Sequence, residues 1–126
     1  MVVDQGLPRV ILVQDEEEDL EEEGVEEAVA RERIFQGKTP VIPSEGLLLP
    51  LENGKSILIL RGSELGPADN EMGFRFKYGK GEVRVMGPAT PYPNGYVVLN
   101  DAAGNPITLE GGVPKSRAEY HYPLAP

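Results

Sequence analysis

The chain has 126 residues, 40 % of them apolar and 6 % aromatic, with 15 glycines, 12 prolines, one histidine and no cysteine. That length gives one domain with room for a real core, and the missing cysteine excludes disulfides, thiolate zinc sites and cysteine nucleophiles together. The net charge of −9 is uneven: residues 1–72 carry 17 acidic against 6 basic side chains, residues 73–126 carry 4 against 6, so only the second half suits a polyanionic partner.

Residues 8–13 (PRVILV) read as a short strand. The start of the chain shows neither the basic nor the apolar region of a signal peptide. The acidic block DEEEDLEEE at 15–23 packs like charges at helical spacing, which disfavours a helix centre there. It reads as a solvated linker or as the acid-rich first turns of a helix, whose dipole tolerates anions. Its spacing lacks the interior glycine of a calcium loop. The helical signal is better at 24–36 (GVEEAVARERIFQ). There Val25, Ala28, Val29 and Phe35 are expected on one side, Glu27 and Arg31 form an i,i+4 pair, and Gly37 offers the stop.

After Pro40 and Pro43 the pattern turns to β. Residues 47–51 and 56–60 flank Asn53-Gly54, a strong hairpin signal. Pro50 cannot donate to a ladder, so that strand belongs at an edge. Residues 62–72 read as a polar loop. A second hairpin, FRFKY then EVRVM, turns at Gly79-Lys80-Gly81. By strand alternation Phe74, Phe76 and Tyr78 share one face with Val83 and Val85, leaving Arg75, Lys77 and Arg84 on the other. A two-residue loop sets Arg75 across from Arg84, and a four-residue loop sets Lys77 there. Either way two cations lie side by side, which is tolerable when solvated and useful when an anion binds. Residues 96–100 and 106–109 are expected strands joined by DAAGN, and 119–124 the last strand. No stretch reaches the ~18 apolar residues of a membrane-spanning helix. The fold expected is therefore α+β: an N-terminal strand and helix with an antiparallel sheet of four or more strands. It forms a single domain, with an acidic, helical segment over 1–37, a β-rich body over 45–126 and a candidate site within 75–124.

The last strand carries the lone histidine. Alternation puts Glu119, His121 and Pro123 on one face, and Tyr120, Tyr122 and Leu124 on the other. Histidine exchanges protons near pH 7 without special help. An imidazole, a carboxylate to orient it and cations to hold a phosphate are the parts of metal-free phosphodiester cleavage. No metal and no cofactor is expected. A bare surface histidine on a solvated basic face is the plainer reading of the same residues.

From Gly81 onward the chain reads GEVRVMGPATPYPNGYVVLNDAAGNPITLEGGVPKSRAEYHYPL. The succession of a VRVM strand, a PYPN turn, a YV strand, a G-x-P turn and a terminal histidine strand resembles the C-terminal toxin domains of bacterial polymorphic toxins. These are the Rhs and contact-dependent-inhibition class, many of which have the barnase, EndoU and colicin-like ribonuclease superfold. The resemblance covers about a third of the chain, has Tyr122 where an isoleucine is usual, and finds no counterpart in residues 1–72. It implies a secreted toxin tip, delivered as part of a larger protein and cutting RNA in the target-cell cytoplasm, with a cognate immunity protein as partner. It also implies His121 as general acid/base, with Arg84 and Arg117 on the phosphate and Glu119 orienting the imidazole. Tyr96 and Asn94 would contact substrate, although Asn94-Gly95 also reads as a plain turn. The basic face adds Arg75, Lys77 and Lys115 as substrate-binding candidates. Two alternatives remain open: a non-enzymatic β-rich binding or structural module of a secretion or phage system, and an acidic immunity protein that blocks a basic toxin.

Overall fold

A computed structural model of the chain describes residues 2–3, 10–14, 21–69 and 72–126, with side chains from Glu27 onward. The first strands are β1 (Val2–Val3) and β2 (Val10–Gln14), and helix α1 (Glu21–Phe35) follows. The part of the acidic block at 15–20 lies outside the described residues. Its last three glutamates open α1, where the helix dipole favours anions. The helix thus begins three residues earlier than its apolar periodicity predicts.

The buried face of α1 also differs from the expected one. Ala30 and Ile34, four residues apart, enter the core, while Val29 stays 54 % exposed and Ala28 exposed. Phe35 is half-buried against the same core. The bulk at the helix C-terminus sets the rotation, and the Val25 side chain lies outside those described. Glu27 and Arg31 form the expected pair at 3.3 Å. Gly37 ends the helix at φ 72°, with Lys38 N donating to Arg33 O at 2.8 Å, a left-handed C-terminal stop.

Strands β3 (Leu47–Pro50) and β4 (Lys55–Ile59) form the first predicted hairpin, with Asn53 Oδ1 accepting from Lys55 N at 2.9 Å. They complete a four-stranded antiparallel sheet in the order β1-β2-β4-β3, and Pro50 lies on its edge strand as its missing N–H requires. The stretch expected as a polar loop holds a strand, β5 (Glu64–Pro67), bulged between Glu64 and Gly66. Then come β6 (Gly73–Tyr78), β7 (Gly81–Met86), β8 (Tyr96–Asn100), β9 (Pro106–Ile107) and β10 (His121–Pro123). They form a second antiparallel sheet in the order β10-β8-β7-β6-β5, with β9 also on β8. The fold is α+β, as the sequence pattern indicates.

One core joins both sheets and the helix. Leu49, Ile57 and Ile59 meet Phe74, Phe76, Val85, Val97 and Leu99 with Ile34 among them. The C-terminus closes the seam between the sheets. Leu124 bridges Leu51, Ala125 N donates to Pro50 O at 3.0 Å, and Leu124 N donates to Gly95 O at 2.9 Å. Leu124 is fully buried. From α1, Arg31 Nη2 reaches Ala125 O at 2.9 Å.

Candidate functional site

The outer face of the six-stranded sheet gathers most of the singled-out residues. The β6–β7 loop is the two-residue one, so Arg75 pairs with Arg84. Arg84 in turn pairs with Val98, and Val98 with His121. Arg75, Arg84, Val98 and His121 therefore form one cross-strand row, all on the side away from the main core. Adjacent strands lie ~4.8 Å apart, which puts the backbones of Arg84 and His121 about 10 Å from each other.

The final segment differs from the expected strand. A 3-10 turn at Arg117–Glu119 replaces its beginning, and β10 starts only at His121. Proline at 123 and the tight turn leave too few residues for a longer ladder. Two assignments change with it. Glu119 does not face the imidazole in a strand; its Oε1 accepts from Lys115 N at 2.8 Å and closes the preceding loop. The imidazole is held instead through Nδ1, 2.9 Å from the carbonyl of Arg117. A carbonyl only accepts, so Nδ1 carries the proton and Nε2 of the neutral ring keeps a free lone pair. Tyr120 does not join the core face; its ring lies 4.5 Å from that of His121, centroid to centroid.

Two more rings complete the surroundings. Tyr96 sits 5.2 Å and Tyr92 6.0 Å from the imidazole, both stacked on it within 24°. The turn between them explains the meeting. Gly95 N donates to Tyr92 O at 3.1 Å, and Gly95 holds φ 94°. A side chain there would strike Met86 O at 2.5 Å and the Phe35 ring at 3.0 Å. The chain doubles back, and Tyr92 and Tyr96 pack at 4.6 Å. Asn94 belongs to that turn. Tyr92 was not legible as a site residue, although two tyrosines four apart around Pro-Asn-Gly are the signal that encodes it.

Electrostatics favours the neutral imidazole. Burial comes first in lowering its pKa below 6.5, the positive fields of Arg117 and Arg84 add to this, and the hydrogen bond to the Arg117 carbonyl opposes them. Arg84 Nε is shut off from solvent and has no hydrogen-bond partner among the described residues. Arg75 differs: its Nη1 lies 3.5 Å from Glu82, and its Nε donates to Pro67 O at 3.3 Å. Lys77 is exposed and paired in register with Glu82, one row further from His121. Lys115 and Arg117 are exposed on the loop before β10. Val98, at 0 % exposure, lies beneath this cluster and gives it an apolar floor.

Among the described residues no three side chains of metal-ligating type cluster together, and no helix is long and apolar enough to cross a membrane. Comparison with protein-family models, curated proteins and solved structures returns no match.

Proposed function

We propose that the outer face of the six-stranded sheet binds RNA and cleaves it without metal, with His121 as the base. The supporting observation is the register row that aligns a neutral imidazole, free at Nε2, with Arg84. In this reading Nε2 takes the proton of a ribose 2′-hydroxyl. The 2′-oxygen bonds to phosphorus, the bond to the 5′-oxygen breaks, and that oxygen takes a proton from solvent. The imidazolium then returns its proton to water. The products are a 2′,3′-cyclic phosphate and a free 5′-hydroxyl. Arg84, in the same register row as His121 across Val98, turns its guanidinium charge toward the charge that develops on phosphorus. Arg117 adds a second cation, and Tyr96 offers a ring to an unstacked base.

The biological setting belongs to the same proposal: a toxin effector domain, delivered within a larger secreted protein into another cell and held in check by an immunity protein. A second reading, a binding or structural module without catalysis, is favoured by one observation. Val98 is fully buried under the tyrosine–histidine cluster, so those rings also work as packing.

The test is cleavage of a single-stranded RNA in EDTA, read by gel and by the cyclic phosphate end. His121→Ala is expected to lose about 10²- to 10⁴-fold in rate while keeping the circular dichroism of the parent. A substrate with one 2′-deoxynucleotide should be spared at that position. An intact RNA with the parent protein, or equal cleavage by His121→Ala, rejects the enzyme and leaves the binding module.

A further inference from the structure

The other side of the molecule holds a concavity that the RNA-binding face does not use. A groove of about 580 Å³ opens between α1 and the segment before β3, within the range of small-molecule sites. Val29, Val41, Ile42 and Pro43 line its walls. Two of them, Val29 at 54 % and Val41 at 78 %, are exposed apolar side chains facing one cleft. Chance exposure of single apolar residues is ordinary, but two across a shared cleft mark a surface that gains by being covered.

Among the described residues the groove has a single cation, Arg61, just past β4. Its Nε donates to Ile42 O at 3.3 Å, which ties this exposed side chain to the groove wall. Among the described residues no carboxylate lies within ion-pair distance of it, although the chain carries 21 acidic side chains. Glu45 lines the same groove but accepts from Ser44 Oγ at 3.2 Å instead. A guanidinium left with free donors, beside apolar walls, matches a carboxylate by geometry and charge.

We propose that this groove binds a small molecule made of an apolar chain ending in one carboxylate, with the carboxylate on Arg61 and the chain between Val29 and Val41. The site is independent of the proposed RNA cleavage, because α1 packs on the core side of the six-stranded sheet and His121 lies on the other.

Sodium octanoate, titrated into the ¹⁵N-labelled full chain, provides the probe. Saturable shifts are expected at the amides of Val29, Ala30, Val41, Ile42 and Arg61. Arg61→Gln should weaken binding by about tenfold or more, the loss of a charged hydrogen bond, and Arg61→Lys should retain part of it. Octan-1-ol should bind more weakly than octanoate, and octylamine more weakly still. Val41→Asp, on an exposed position, should abolish binding without changing the melting temperature. Absent or scattered shifts, an unchanged affinity in Arg61→Gln, or octylamine binding as well as octanoate would overturn the proposal.

Discussion

The two faces of the six-stranded sheet use the same strands for opposite ends. On the inner face Phe74, Phe76, Val83, Val85, Val97 and Leu99 are sealed from water within the common core. On the outer face the alternate positions carry Arg75, Arg84, Tyr96 and His121 around a buried floor of Val98. The inner face gains free energy from area removed from water. The outer face gives some of that up, keeping a guanidinium nitrogen with no partner among the described residues and an imidazole held toward its neutral form first by burial, with neighbouring cations adding to it. Features of this kind mark candidate sites rather than ordinary packing.

The largest effects should come from the inner face. Phe76→Ala is expected to cost about 3–5 kcal/mol, and Leu124→Ala at the seam about 2–5 kcal/mol, both measured by urea unfolding. If either costs nothing, the shared core of the two sheets is wrongly described.

Arg84→Met sharpens the contrast. It removes the unpartnered Nε from the outer face, so stability should hold or rise by about 1 kcal/mol. RNA affinity, measured by fluorescence anisotropy, should fall. A variant that is both less stable and equally able to bind would make Arg84 a structural residue.

Acid should act through His121. Its pKa is lowered on folding, so below about 6.5 the unfolded chain holds a proton that the native ring refuses. The stability is complete above that pH and declines as pH falls through 6.5 toward the native value. Thermal melts of the parent should show this slope, and His121→Phe should flatten it. The proposed cleavage should hold through 6.5 and fall only as pH reaches the lower native value, because only the neutral ring accepts a proton.

The smallest effect concerns Glu82. Its 3.5 Å pair with Arg75 is partly exposed on both sides, so Glu82→Gln should change stability by no more than about 1 kcal/mol. It releases Arg75 from that pair, and the RNA binding proposed above should tighten. Weaker binding would separate Arg75 from the site.

Much of this is legible in the sequence. The turns Asn53-Gly54 and Gly79-Lys80 set two hairpins, and period-two alternation sorted Phe76 from Arg75 without error. Other parts are not. Strand β5 looks like a loop because Gly66, Pro67 and a bulge mask an edge that pairs on one side only. The stripe of α1 differs from the expected one because a helix this charged offers several weak apolar faces, and packing on the sheets selects Ala30 and Ile34. Tyr120 and Glu119 were placed by an alternation that a 3-10 turn interrupts.

Sequence alone determined which side chains of β6 and β7 belong inside and which cations share the other face, because side-chain direction in a strand follows from the backbone within a few residues. The tertiary structure decided that His121 stands in line with Arg84, that Tyr92 and Tyr120 flank it, and that Arg117 rather than Glu119 holds its Nδ1. Those relations depend on which strands become neighbours across tens of residues. That choice is made by the burial of the common core and the closing of the Leu51–Leu124 seam, not by any local pattern in the chain.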